Sequence, residues 1–195
     1  MALRYVALGD SYTIGTAIDA AGRWPTQLVA RLSALELVAN LGVNGYTSRD
    51  LIEDELPQLD RFRPEVLSVL IGVNDLVQGV PEARYRANVD RILDTVVARV
   101  GANRAFVVTT PDYTVTPAGA DYGDPARQAA GIRANNLIIT AAAQARDIIV
   151  IDIHDLSLGA ATDRSLVADD GLHPSARQYA LWVDRIEPAV AALLG

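Results

Sequence analysis

The chain has 195 residues, half of them hydrophobic and only 6% aromatic, with a formal net charge of −7 at pH 7. An acidic balance without clustered basic residues excludes a nucleic-acid footprint. All seventeen cations are arginine and there is no cysteine, which excludes Schiff-base and phosphate-gripping lysines, thiolate nucleophiles, disulfides and cysteine-held metal centres.

At ~150 residues per domain, the length fits one domain over residues 1–195. With so few aromatics, the core must be built mainly from Ala, Val, Leu and Ile. No stretch approaches the ~20 apolar residues of a membrane helix. The first residues show no basic leader followed by an apolar run and a cleavage site. The expected location is therefore cytoplasmic.

In chain order, short apolar runs alternate with longer amphipathic segments. Strands are expected over 4–8, 36–41, 65–71, 104–110 and 147–153, and helices near 24–34, 48–61, 81–100, 126–145 and 174–193. The third helix carries the clearest pattern. Tyr85, Val89, Ile92, Leu93, Val96 and Val100 recur at steps of three and four with Arg and Asp between them. Pro81 and Pro174 each stand where a first helical turn is expected. Strand–helix alternation repeated five times implies an α/β fold with one parallel sheet covered on both faces. Residues 111–125, with three prolines, two glycines and two tyrosines, read as a long irregular loop after the fourth strand. A loop in that place is expected to wall a binding site.

Ligands of open α/β sheets sit beyond the carboxyl ends of the strands. There the chain delivers Asp10 and Ser11 after the first strand, and Gly42, Val43, Asn44 and Gly45 after the second. The third strand leads into Gly72, Val73, Asn74 and Asp75. After the fifth come His154 and the run Asp170-Gly171-Leu172-His173-Pro174. Each piece has an ordinary alternative. Gly-Asp-Ser is also a common turn into a helix cap, and Asn-Gly a common turn pair. Together they are the inventory of acyl transfer. A serine hydroxyl needs a base, histidine suits that task near neutral pH, and a carboxylate holds the imidazole in one tautomer. The two histidines leave two candidates for the base. Asp170, three residues ahead, favours His173 over His154. Asn74 is a candidate donor to an oxyanion.

These blocks resemble the SGNH hydrolases, also called GDSL-type esterases and lipases. Gly9-Asp10-Ser11 is similar to the family's first block and Gly42 with Asn44 to the second. Gly72-Val73-Asn74-Asp75 is similar to the third, and Asp170-Gly171-Leu172-His173 to the last. The likeness spans residues 5 to 174. Tyr12 stands where the family name has leucine, and Gly42 is the loosest match.

The resemblance implies a flavodoxin-like three-layer sandwich with a five-stranded parallel sheet and no cofactor or metal. It implies Ser11 as nucleophile, His173 as general base and acid, and Asp170 as its orienting carboxylate. The oxyanion donors it implies are the Ser11 and Gly42 backbone N–H groups and the Asn74 side chain. The expected substrate is a small acyl ester, acetyl to butyryl, with the segment around Tyr46 helping to shape the pocket. Within the family, thioesters, lysophospholipids and sugar acetates are the other substrate classes.

Three readings compete: one keeps the fold without catalysis, as a binding protein, and leaves the joint presence of Ser11, Asn74, Asp170 and His173 unexplained, and two lie outside the family. A flavin- or nucleotide-binding flavodoxin-like module would use Ser11 to Thr16 as a phosphate loop, but Asp10 places negative charge there. A haloacid-dehalogenase-type phosphatase would need a second aspartate where Tyr12 stands, and a lysine.

Overall fold

The computed structural model describes residues 1–195. Five strands, β1 (Leu3–Gly9), β2 (Leu35–Asn40), β3 (Val66–Leu70), β4 (Ala105–Val108) and β5 (Ile149–Ile151), form one sheet in the order β2-β1-β3-β4-β5. Every neighbouring pair is parallel. The order reverses direction at β1, so the crevice between the ends of β1 and β3 is the place where such sheets bind ligands.

Nine α-helical segments surround the sheet. They are α1 (Ser11–Ile14), α2 (Trp24–Arg31), α3 (Ser48–Asp50), α4 (Leu59–Phe62), α5 (Val73–Val77), α6 (Glu82–Val100), α7 (Pro125–Gln144), α8 (His154–Ser157) and α9 (Ala176–Leu194). Strand alternation sorts the core into two layers. Tyr5 and Ala7 of β1, with Val66 and Leu70 of β3, pack against Trp24 and Leu28 of α2 and Tyr179, Trp182 and Ile186 of α9. Val6 and Leu8, with Leu67 and Val69, face Tyr85, Val89, Ile92 and Val96 of α6 and Ile138 and Ile139 of α7. Fully burying one such side chain is worth ~1.5–3 kcal/mol, so these two layers hold the sheet between its helices. The exception inside the sheet is Ser68, whose Oγ shares a 2.7 Å hydrogen bond with the Tyr5 hydroxyl.

The α/β architecture read from the sequence is the one observed, with three local differences. The stretch expected as one helix over 48–61 is broken. After α3 the residues Leu51–Glu55 form a π turn and Leu56–Gln58 a 3₁₀ turn, before α4 closes it. Strands β4 and β5 are shorter than expected, because Thr109, Thr110 and Asp152 turn to side-chain bonding as the chain leaves the sheet. Pro174 does not begin α9. It pairs with Val167 in an antiparallel bridge, and Ser175 caps the helix by accepting from Gln178 N–H. No helix is long and apolar enough to cross a membrane.

Candidate active site

The turn after β1 is built around a glycine and a capping carboxylate. Gly9 has φ +150°, and a Cβ there would lie 2.2 Å from the Leu70 carbonyl oxygen and 2.4 Å from Thr13 Oγ1. Only glycine fits between β1 and β3 at that point. Asp10 then caps α1, its Oδ1 accepting from Tyr12 N–H at 3.0 Å. Ser11 is thereby the first residue of α1, with its own backbone N–H left without a protein partner. Asp10 is fully buried, and burial pushes its carboxyl up to about 8, the nearby Asp75 adding to the rise.

The loop after β3 is fixed from behind. Gly72, at φ +127°, leaves room for Tyr85, whose hydroxyl donates to the Ile71 carbonyl at 3.2 Å. Asp75 is buried, and both its oxygens accept from Ser48, one from the backbone N–H at 2.8 Å and one from the hydroxyl at 2.5 Å. This ties the loop after β3 to the start of α3. Asn74 Nδ2 donates to the Tyr46 carbonyl at 2.9 Å. An amide nitrogen carries two hydrogens, so this bond sets the amide's orientation and leaves one hydrogen free.

The segment after β5 supplies the histidine. Asp170 Oδ1 accepts from the backbone N–H groups of Leu172 and His173, and its Oδ2 lies 2.6 Å from His173 Nδ1. Gly171 has φ +74°, which lets the loop fold back on its own carboxylate. Partial burial works against ionisation of Asp170, but the His173 ring and the two backbone donors outweigh it and hold the carboxyl below its usual range. The His173 ring leans on Tyr12, the centroids 5.6 Å apart.

These three loops meet at a cavity of about 60 Å³ lined by Ser11, Tyr12, Asn44, Val73, Asn74, Tyr113, Tyr122, Leu172 and His173. The long loop contributes Tyr113 and Tyr122, which stack edge to face at 5.6 Å. Its Ala118 N–H donates to the Gly171 carbonyl at 3.0 Å, joining it to the loop of Asp170 and His173. The structure therefore brings Ser11, Asn74 and His173 to one cavity and hydrogen-bonds Asp170 to the histidine. No hydrogen bond joins Ser11 Oγ to the imidazole in this arrangement. Such contacts are often long without substrate.

Gly42 is placed differently from the expectation. Its N–H already donates to Asn40 Oδ1 at 3.2 Å, and the position packs against Asp10, Thr13 and Ile14 rather than lining the cavity. Three residues on, Gly45 follows the cavity-lining Asn44, has φ +84°, and its N–H has no protein partner. Spacing alone gave no means of choosing between two glycines in one loop. The signal lay in which N–H the neighbouring Asn40 takes. Tyr46 does not line the cavity: its carbonyl holds Asn74 and its hydroxyl bonds Asp54. His154 lies in a separate cleft with Thr109, Arg133 and Asp152, its Nε2 3.8 Å from Asp112.

Residues 7–181 match the model of the GDSL-like lipase/acylhydrolase family. No curated protein matches the chain. Many solved structures match the chain, and among those that share its fold over nearly the whole length are the following three. A member of the lipolytic G-D-S-L family from Veillonella parvula is 17% identical, with 97% of this chain and 99% of that one covered, at a TM-score of 0.80. An acetyl xylan esterase from Geobacillus stearothermophilus is 19% identical, covering 96% and 94%, at 0.75. A psychrotrophic esterase from a Pseudoalteromonas species is 18% identical, covering 98% of both chains, at 0.73.

Proposed function

The chain belongs to the GDSL-like lipase/acylhydrolase family and is a carboxylic ester hydrolase, and from that premise we propose that it cleaves small acyl esters through a Ser11 acyl-enzyme. The observation that carries this reading is the 2.6 Å contact between His173 Nδ1 and Asp170 Oδ2 on the wall of the cavity that Ser11 also lines. With Nδ1–H held by the carboxylate, Nε2 is the nitrogen left to accept a proton.

Ser11 Oγ attacks the ester carbonyl as His173 Nε2 takes its proton. The carbonyl oxygen becomes an oxyanion, met by the Ser11 N–H, the Gly45 N–H in place of that of Gly42, and the free hydrogen of Asn74 Nδ2. Each such donor is worth ~3 kcal/mol in serine hydrolases. The tetrahedral intermediate collapses, the C–O bond to the alcohol breaks, and His173 returns its proton to the leaving oxygen. Water then repeats the sequence on the acyl-enzyme, releasing the acid and restoring Ser11. No step in this sequence calls for a cofactor or a metal.

The substrate class follows from size. The cavity of about 60 Å³ beside Ser11, with Tyr113 and Tyr122 in its wall, accommodates an acetyl-sized group. The test is a p-nitrophenyl ester series from acetate to decanoate, run on the wild type and on Ser11→Ala. The expected result is a maximum at two to four carbons ("roughly acetyl to butyryl" by the size argument) and a loss of at least ~10³-fold in Ser11→Ala. A folded Ser11→Ala protein with full turnover refutes the nucleophile, and a maximum at decanoate refutes the small-acyl pocket.

A further inference from the structure

The apolar stripe of the broken helical stretch contains one residue that does not belong in a core. Leu51, Ile52 and Leu59 face the sheet fully or almost fully buried, and by helical spacing so does position 55, which is a glutamate. Glu55 has 0% of its surface exposed. It ends the π turn, and single π turns recur at functional sites.

The partner of Glu55 explains its place. Strand β2 stops at Asn40, which pairs with Ala7 of β1. Two residues on, the Gly9 N–H has no strand to donate to. Glu55 Oε2 accepts that N–H at 2.9 Å. Gly9 is the residue from which the chain turns into Asp10 and Ser11. We propose that Glu55 is a positioning residue for Ser11, a buried carboxyl whose bond to Gly9 fixes the start of the Gly9-Asp10-Ser11 turn. This rests on the reading of Ser11 as nucleophile.

Two further observations support the uncharged form. Glu55 Oε1 and Asp10 Oδ2 are both buried without a hydrogen-bond partner, a setting in which a carboxylate charge is costly. The titratable groups that face Glu55 are Asp10 from the turn and Asp54 from its own stretch, with the Tyr46 hydroxyl nearby and no cation. Burial, then these neighbours, push Glu55 well above the usual carboxylate range, while the Gly9 N–H pulls the other way. Burial among these neighbours favours the protonated form of Glu55, and its Oε2 accepts from Gly9 in either form.

The test compares Glu55→Gln and Glu55→Leu with the wild type and with Ser11→Ala on p-nitrophenyl acetate, from pH 6 to 10. Glutamine keeps an uncharged acceptor for Gly9 and has no proton to lose. The expected result is that Glu55→Gln retains most of the wild-type kcat at pH 7.5 and departs from the wild-type profile on the alkaline side, where glutamate ionises and glutamine does not. Glu55→Leu is expected to lower kcat by ~10-fold or more with KM nearly unchanged, the signature of a displaced nucleophile. A Glu55→Leu protein with wild-type kcat overturns the inference, and so does a Glu55→Gln protein whose pH profile coincides with the wild type. If Glu55→Leu does not fold, the Glu55→Gln profile alone decides. An active Ser11→Ala protein removes the premise. An inactive Ser11→Ala beside an undisturbed Glu55 series removes only the inference.

Discussion

The chain has two histidines, and each stands beside an aspartate at the carboxyl edge of the same sheet. Between His173 and Asp170 the contact is 2.6 Å through Nδ1, and Asp170 takes two backbone donors besides. Between His154 and Asp112 the separation is 3.8 Å through Nε2, which is buried and without a hydrogen bond, and Asp112 Oδ1 already serves Thr114. His173 lines a cavity shared with Ser11, whereas His154 lines a different cleft. A histidine near an aspartate is therefore only half of a base. What matters is which ring nitrogen the carboxylate holds and what the other one reaches.

The largest effect that sharpens this contrast is expected from His173→Ala, a loss of ~10³-fold or more in kcat on p-nitrophenyl acetate. His154→Ala is expected to stay within about twofold, as a substitution remote from the reacting atoms. Equal losses in steady-state kinetics would break the comparison. Next comes Asp170→Asn, expected to lower kcat by ~10²-fold or more. An amide in place of Oδ2 donates to Nδ1, which drives the imidazole proton to Nε2 and blocks the nitrogen that must accept from Ser11. Asp112→Asn should leave kcat nearly unchanged in the same assay.

The smallest effect concerns stability against pH and separates two kinds of carboxyl. Asp170 is held below its ordinary value. Its contribution to stability is present above the unfolded carboxylate pKa and is lost as pH falls through the lower folded value. Asp10 is the reverse case, raised from 3.8 to about 8. The folded state then binds more protons than the unfolded one between those values, so stability falls as pH rises through that window. Asp10→Asn keeps the oxygen that caps α1, and its Tm should decline less than that of the wild type between pH 4 and 8 (roughly the window of the shift). Parallel declines in a calorimetric series would show that Asp10 is charged in the folded protein.

Much of the architecture was readable because buried strands and amphipathic helices have different periods. The run over 81–100 shows this, and its buried residues are the ones the spacing picked out, Val100 alone being only partly buried. The same signal misjudged 48–61. A period reports which face is buried, and it is blind to a turn that closes five residues back and to Pro57 in the next turn. At the site, the residue types that carry chemistry stood out by kind: one serine after a strand, an Asp-x-x-His run, an asparagine after a glycine. Gly42 and Gly45 did not, since two backbone N–H groups are chemically identical until Asn40 occupies one of them. Glu55 shows in the sequence only as a carboxylate in an apolar stripe, a pattern that names no partner.

The hydrogen bond from Ala118 to Gly171 joins the tyrosine-bearing loop to the turn of the Asp170–His173 segment. Diversification toward bulkier acids is thereby constrained. Inserting or deleting residues in that loop would tug on the very arm that presents the imidazole, whereas shaving a ring at 113 or 122 enlarges the chamber and leaves the arm in place. Descendants of this chain that acquire new acids should differ at those two rings before they differ in loop length.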